Sequence, residues 1–131
     1  MAEHPHIETV RKLMQAMSAR DTAAVQQLLT RDCVVHRPGN HPYAGENKGL
    51  EAVLDTARRM REEATGTMRA EPQHLFLDAR GHVIAVYRLT VERRGRRHDA
   101  ATAAHFTIVG DRIAGIEIYE PDLDQTNQFW S

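Results

Sequence analysis

The spacing of apolar residues changes once along the chain, and this change limits the possible folds more than any other feature. Up to about residue 63 the apolar side chains recur every three or four positions, as they do on one face of a helix. From Thr67 onward they alternate with polar residues, which is typical of strands with one buried face. Helices followed by hairpin-connected strands predict an α+β domain, with one curved antiparallel sheet wrapped around the N-terminal helices.

The N-terminal half predicts three helices. The first begins near Ile7, where apolar residues start to recur at helical spacing. Asp21 has the side chain of a helix N-cap and should open the second helix, which is expected to break at residues 30–32. The third helix covers roughly residues 49–63 and is expected to be closed by Gly66.

Residues 31–49, RDCVVHRPGNHPYAGENKG, separate the second and third helices. A short apolar run at residues 33–35 predicts a strand, and two prolines and three glycines follow it. Proline fixes φ and glycine permits positive φ, so a segment with this composition is expected to hold one shape. We expect this loop to bring polar groups to the end of the strand and to form the mouth of a pocket.

The C-terminal half predicts short strands joined by turns. The basic segment 93–97 contains a glycine and is interpreted as a solvated hairpin tip rather than a nucleic-acid contact. The polar tail at residues 122–130 is expected to form a short helix or arm that docks Phe129 and Trp130 on the body or on a second subunit. The predicted strands cover residues 68–71, 74–77, 83–92, 102–109 and 113–119.

Composition indicates one domain spanning residues 1–131. The chain has 131 residues, of which 41% are hydrophobic, which is enough for one core and too little for two ordinary domains. The 17 Lys and Arg residues nearly balance the 18 Asp and Glu residues, so nucleic acid is not the expected partner. No apolar run approaches the ~18 residues of a membrane-spanning helix, and we expect a soluble, cytoplasmic protein without a membrane partner.

Recognised motifs for redox or metal chemistry do not occur in the sequence. Cys33 is the single cysteine, so no internal disulfide can form, and its apolar surroundings predict a buried small side chain. Eight histidines are present, but His36 and His41 have no carboxylate at a known ligand spacing, and neither H-E-x-x-H nor C-x-x-C occurs. We therefore expect no dedicated metal site and no cofactor.

Several motifs point to a known family. Residues 32–39, DCVVHRPG, form a strand that ends in an H-x-P-G motif, and Gly45, Gly49, a hairpin at 108–113 and the terminal segment 119–130 follow it. In these features the chain resembles the nuclear-transport-factor-2-like superfamily, within the SnoaL-like polyketide cyclase and ketosteroid isomerase-related group. The resemblance implies a cystatin-like cone whose interior holds a small hydrophobic molecule.

The resemblance also identifies positions where relatives carry functional groups. Ketosteroid isomerases have an aspartate base just before the proline that ends the first strand, and here that position is Arg37. Their oxyanion tyrosine and second acid align with Leu13 and Ala104, so isomerisation by that set of groups is not expected. The cyclase pattern has its acid/base aspartate four residues after an inward side chain of the last strand, which from Ile116 leads to Glu120.

Strand alternation gives an independent argument for Glu120. If Ile116 and Ile118 face the interior, Glu120 lies on the same face at the strand's end, beside apolar walls. Partial burial would raise the pKa of this carboxyl and suit it to general acid/base catalysis near neutral pH. The alternative is a carboxylate at the rim that pairs with Arg37 or Arg88.

His36 and Tyr87 are the other two candidate catalytic residues. Both can stabilise a developing enolate, although His36 can equally orient its loop and Tyr87 can simply cap the core. Arg37 either binds an anionic substrate or lies in solvent, and His105 is expected to point outward. The residues expected to contact the substrate are Leu13, Met17, Arg37, Tyr43, Leu89, Thr102, Ala104, Phe106, Ile116 and Ile118.

Two functions follow from these observations. The first is a cofactor-free enzyme that uses general acid/base catalysis in a conical pocket on an apolar carbonyl compound or epoxide, as a cyclase or isomerase does. The second is a non-catalytic small-molecule-binding or dimeric assembly protein of the same fold, because the isomerase positions are changed. In either case apolar residues on both faces of the later strands predict a homodimer that pairs through the sheet.

Overall fold

A six-stranded sheet with helices packed on one of its faces forms the body of the protein. The computed structural model describes residues 3–65 and 68–131. We call the face of the sheet that contacts the first helix the inner face, and the opposite one the outer face. The elements in chain order are α1 (Pro5–Ser18), α2 (Thr22–Leu28), β1 (Leu29–Arg37), β2 (Gly45–Lys48), α3 (Leu50–Glu63), β3 (Met68–Leu77), β4 (Val83–Arg93), β5 (Arg96–Val109), β6 (Arg112–Tyr119) and α4 (Leu123–Trp130).

The strands are arranged in the order β2-β1-β6-β5-β4-β3. Neighbours from β6 to β3 pair antiparallel through consecutive hairpins, and β2 pairs antiparallel with β1. The β1–β6 pair is parallel, which places the first strand beside β6 near the middle of the sheet. The predicted α+β architecture is confirmed, and the parallel pair is a detail that the hydrophobic pattern did not contain.

The predicted first and third helices are present. α1 buries Val10, Leu13 and Met14 against the sheet, at the three- and four-residue spacing that the sequence shows. α3 runs from residue 50 to residue 63, as predicted. Gly66, which was expected to close α3, and Thr67, the expected start of the alternating pattern, lie outside the described residues.

The second helix leads directly into the first strand. The Asp21 side chain accepts a hydrogen bond from the backbone N–H of Ala24 at 3.1 Å, which confirms it as the N-cap of α2. The predicted break at residues 30–32 is wrong, because β1 already begins at Leu29, which pairs with Ile113. The pairing register with β6 shifts between Leu29 and Val34, so the polar residues 30–32 form an irregular part of β1 rather than a break before it.

Two predicted segments differ in extent from the observed strands. β3 is one strand of 10 residues where two were predicted, and its pairing shifts between Pro72 and His74, where proline has no N–H to donate. The hairpin at residues 93–97 is present but tighter, because β4 and β5 pair up to Arg93 and Arg96. Only Arg94 and Gly95 remain in the turn, both with positive φ.

Helix α4 closes the end of the molecule opposite to the β3–β4 turn. Phe129 and Trp130 are 5% and 2% exposed, so the predicted docking of these aromatics on the body is confirmed. Arg93, itself 4% exposed, donates from Nη1 to the carbonyl oxygen of Phe129 at 2.6 Å, and its Nε lies 3.2 Å from the carboxylate of Glu63. A buried arginine thus satisfies carbonyl groups at the C-terminal end of α4.

The core lies between the inner face and helices α1, α2 and α3. A second cluster joins α3, β4 and α4 around Trp130 and Phe129. Across residues 3–65 and 68–131, no helix has the length and apolar character needed to cross a membrane. The cytoplasmic location stays a prediction.

Candidate active site

A cavity with mostly apolar walls lies between the inner face of the sheet and the three N-terminal helices. The strands contribute alternate residues to it, because only every second side chain of a strand faces inward. α1 and α3 cover the cavity with their apolar faces. Eight of the predicted site residues line it, namely Leu13, Met17, Arg37, Tyr87, Leu89, Phe106, Ile116 and Ile118.

Three predicted substrate contacts are buried elsewhere. Tyr43 belongs to the second cluster, where its hydroxyl donates to Glu63 at 2.6 Å and its ring meets Trp130 edge to face at 5.4 Å. Thr102 and Ala104 lie on the inner face of β5, each 1% exposed, and belong to the sheet core rather than to the cavity lining. Tyr43 therefore stabilises the fold, and Thr102 and Ala104 support their lining neighbours.

His36 is on the wrong side of the sheet for its predicted catalytic role. Val35 faces inward and is 2% exposed, so the next residue of the strand faces outward. His36 lies opposite Glu117 in the β1–β6 pair, and its Nδ1 is 3.3 Å from the Glu117 carboxylate. The prediction that His36 shares one space with Glu120 and Tyr87 is therefore wrong. Strand alternation places His36 on the outer face of the sheet, whereas the cavity lies at the inner face.

We call Arg37, Tyr87 and the neighbouring Glu120 the polar end of the cavity. Arg37 and Tyr87 line the cavity, and Glu120 lies close to both without being one of its lining residues. Arg37 is the last residue of β1 and interacts electrostatically with both Tyr87 and Glu120. Glu120 follows β6 directly, and the hydroxyl of Thr126 in α4 donates to its Oε2 at 3.4 Å. Tyr87 is 8% exposed, and no hydrogen-bond partner for its hydroxyl is found in the described part of the chain. These three groups share one region and leave polar atoms available to a ligand.

Burial governs the ionisation of this polar end. Desolvation raises the pKa of the Glu120 carboxyl, although the hydrogen bond from Thr126 and the charge of Arg37 oppose the shift. Burial, with a smaller contribution from the Glu120 charge, raises the pKa of Tyr87, so its hydroxyl stays protonated as a donor. Desolvation lowers the pKa of Arg37, and interactions with Tyr87 and Glu120 oppose this. The carboxyl is therefore shifted towards the range in which it can exchange protons near neutral pH.

Glu120 is not locked in an ion pair with Arg37 or Arg88, which was the alternative to a catalytic role. Arg88 faces outward and pairs with Asp99, at 2.6 Å between Nε and Oδ1. Arg37 contacts the Asn47 side-chain oxygen at 3.5 Å, and no carboxylate of the described residues forms an ion pair with it. Glu120 is thus near a positive charge without being held by it.

Comparisons with known proteins agree with this architecture. A family model described as a SnoaL-like domain matches residues 10–116. The chain belongs to the SnoaL-like family. The uncharacterized protein Rv0034 of Mycobacterium tuberculosis is 30% identical to it over 131 residues, which is 100% of both chains. Solved structures described as cystatin-like and NTF2-like also match, which confirms the predicted fold.

Two further solved structures are similar to this chain. Bal32a, from a soil-derived mobile gene cassette, is 30% identical to this SnoaL-like chain, with a TM-score of 0.93 over 97% of each chain. TerC, crystallised with polyporic acid, is 16% identical, with a TM-score of 0.84 over 95% of this chain and 97% of its own. The likeness to TerC shows the fold alone.

Sequence reasoning missed part of the cavity wall of this SnoaL-like chain. Val53, Leu54, Ala57 and Met60 of α3 line the cavity, and their helical spacing was visible in the sequence. The spacing identified a helix but not the surface that it would cover. Thr126 was also missed, because its contact with Glu120 depends on how α4 docks.

One group of potential metal ligands lies outside the cavity. Ligand atoms of Asp78, His82 and His105 all lie within 4.8 Å of one another, where the β3–β4 turn meets β5. His105 points outward, as predicted, and its ring meets that of His82 at 5.4 Å. This group does not contact Glu120 or Tyr87, and the expectation of no dedicated metal site stays a prediction.

Proposed function

We propose that this SnoaL-like protein is a cofactor-free enzyme that uses general acid/base catalysis on an apolar carbonyl compound or epoxide, as a cyclase or isomerase does. The observation that supports it is the polar end, where Tyr87 and Arg37 interrupt a mostly apolar cavity lining and Glu120 lies close to both. An apolar cavity with a few convergent polar groups is the usual form of a small-molecule site. The ligand of TerC gives general support for a small-molecule occupant.

In this proposal each group has one task. The Glu120 carboxylate removes a proton from the carbon next to the carbonyl group and returns that proton to the rearranged product. The Tyr87 hydroxyl donates a hydrogen bond to the carbonyl oxygen as negative charge develops on it. Arg37 takes the electrostatic role first given to His36, because it faces the cavity and His36 does not.

A second candidate is a non-catalytic binding protein of the same fold. It is favoured by Leu13 and Ala104, which are apolar at positions where the resembling isomerases carry oxyanion groups. The two candidates differ in whether the bound compound is converted. A panel of aromatic and polycyclic carbonyl compounds and epoxides, screened both for thermal stabilisation of the protein and for conversion, separates them.

The substitution Tyr87→Phe tests the enzyme proposal on the converted substrate. It removes one hydroxyl from the cavity, so we expect kcat/KM to fall by about 10- to 100-fold, measured by steady-state kinetics. Tyr119→Phe is the matched control, because Tyr119 is 54% exposed at the end of β6 and outside the cavity lining. An unchanged rate for Tyr87→Phe, or binding across the panel without any conversion, would favour the binding protein.

We also propose that the protein forms a homodimer through the outer face. Phe76 and Ile84 are opposite each other on neighbouring strands and are 56% and 43% exposed. We expect light scattering at micromolar concentration to give the mass of a dimer, and Ile84→Glu to give a monomer because it places a charge in the contact. Leu123→Glu is the control, since Leu123 is exposed on α4. A monomeric mass for the unmodified protein would refute the dimer.

A further inference from the structure

In the part of the chain that the structure describes, the charged residues that line the cavity are all arginines. Arg37, Arg61 and Arg69 line it, and among the described residues no aspartate or glutamate does. The other lining residues are apolar, apart from Thr22 and Tyr87. Charges of one sign along low-dielectric walls concentrate their field inside the cavity. The cavity therefore favours a ligand with negative charge.

Arg37 is the arginine in contact with the polar end. Its guanidinium can donate five hydrogen bonds, yet the described residues offer it one contact, the 3.5 Å approach to the Asn47 side-chain oxygen. Desolvation disfavours its charge, which shows in the direction of its pKa shift. A largely desolvated guanidinium normally has a carboxylate or phosphate in direct contact, because the cost of burial is otherwise uncompensated. Among the described residues, Glu120 lies near Arg37 but no carboxylate is within ion-pair distance of it, and Arg37 lines the cavity.

Arg61 and Arg69 differ from Arg37 because protein groups already engage them. Arg61 donates to the Thr22 hydroxyl at 3.2 Å, and Arg69 lies 3.0 Å from the Glu71 carboxylate with its side chain 60% exposed. Their charges are screened by water, so they attract anions to the cavity in general but discriminate little between one anionic ligand and another. Selection therefore falls on Arg37.

We propose that Arg37 is the specificity-determining residue of the cavity and that its ligand carries an acidic oxygen group on an apolar body. The group is a carboxylate or the ionised enol or phenol of a carbonyl compound, whose oxygen accepts hydrogen bonds from the planar guanidinium. The apolar body fills the space between α1, α3 and the inner face. This inference rests on the proposed function only in taking the cavity as the ligand site, and it holds for a binding protein as well as for an enzyme.

The test compares acids with their own methyl esters. Benzoic, naphthoic and anthracene carboxylic acids and the corresponding esters are titrated into the protein, with dissociation constants from calorimetry or NMR shifts. We expect at least one acid to bind about 10-fold more tightly than its ester, which is the discrimination that one charge-assisted contact provides. Failure of every acid in the series to bind better than its ester overturns the proposal.

The substitution Arg37→Met identifies the residue responsible. It keeps an apolar side chain of similar length, so we expect the preference for the acid to disappear while affinity for the ester stays within about threefold. Arg112→Met is the control, because Arg112 is exposed at the β5–β6 turn and does not line the cavity. An acid preference that survives in Arg37→Met contradicts the assignment.

The test of the anionic ligand can be separated from the test of catalysis. The acid-to-ester ratio is a binding measurement on the unmodified protein and needs no turnover, so it also stands if Arg37→Met does not fold. If the unmodified protein shows no preference for any acid over its ester, yet converts a substrate in a way that depends on Tyr87, the anionic ligand is rejected and the enzyme proposal stands. A clear preference without any conversion would support the anionic ligand and reject the enzyme.

Discussion

Replacing Glu120 with Gln is expected to lower kcat by a factor of about 10²–10⁴ while the affinity for the substrate stays within about threefold. Glutamine has nearly the shape of glutamate and its oxygen can still accept the hydrogen bond from Thr126, so packing at the polar end is preserved. It cannot take up a proton, so only the proton-transfer step is lost. Steady-state kinetics and calorimetric binding on the same substrate measure the two effects separately.

The pH dependence of the reaction gives a second readout of Glu120. Because burial raises the pKa of this carboxyl, a rate that requires the carboxylate should rise with pH and level off above an ordinary glutamate value. This limb should be absent from the residual activity of Glu120→Gln. Glu117→Gln is the matched control, since Glu117 lies on the outer face, beside His36, with its side chain 47% exposed. Equal losses in the two variants would remove Glu120 from the mechanism.

Replacing Arg93 with Met is expected to destabilise the fold by about 2–4 kcal/mol, because it leaves carbonyl groups at the end of α4 without their donor and weakens the pairing of a half-buried carboxylate. The substitution removes the donor to the carbonyl oxygens of Phe129 and Ser131 at 2.6 Å and 3.2 Å. It also leaves the Glu63 carboxylate without the cation that lies 3.2 Å from it. Urea unfolding followed by circular dichroism measures the change in the free energy of unfolding.

Arg94→Met is the control for this prediction, because the neighbouring Arg94 is 68% exposed and reaches the same carboxylate only at 3.7 Å. An exposed pair of this kind contributes about 0–1 kcal/mol, so we expect little change. A loss of less than about 1 kcal/mol for Arg93→Met would show that α4 is held by its apolar contacts rather than by the arginine. Because α4 carries Thr126, a loosened helix should also weaken the support of Glu120.

Local patterns in the sequence indicate which side of a helix or strand faces the core. Features of the fold and of the site that depend only on this facing could therefore be predicted. Alternation along β4 and β6 placed Tyr87 and Ile116 correctly on the inner face. The same rule could not decide the facing of β1, because the three consecutive apolar residues 33–35 fit either alternation. The structure buries Cys33 and Val35, which places Arg37 inside and His36 outside. The H-x-P-G motif favoured His36, and only the packing of β1 on the helices shows that His36 faces outward.

Other features depend on contacts between distant segments and leave no local trace. Tyr43 is buried because α4 brings Trp130 against it, and neither residue indicates the other in the sequence. β2 forms by backbone pairing of the polar residues 45–48 with β1, so it has no hydrophobic pattern to predict it. The parallel pairing of β1 with β6 is equally non-local, since it is set by the closure of the whole sheet.

That parallel pair also bears on how the protein is made. As the chain leaves the ribosome, β1 emerges early and β6 emerges only after β3, β4 and β5. Arg37 and Glu120 can therefore come together only when most of the chain has been synthesised. Pairing between segments so far apart is slow, because a long loop must close before any contact compensates for the lost chain entropy. Until β6 inserts, the apolar face of α1 has no finished sheet to cover it, and the nascent chain is most exposed to aggregation or to capture by chaperones.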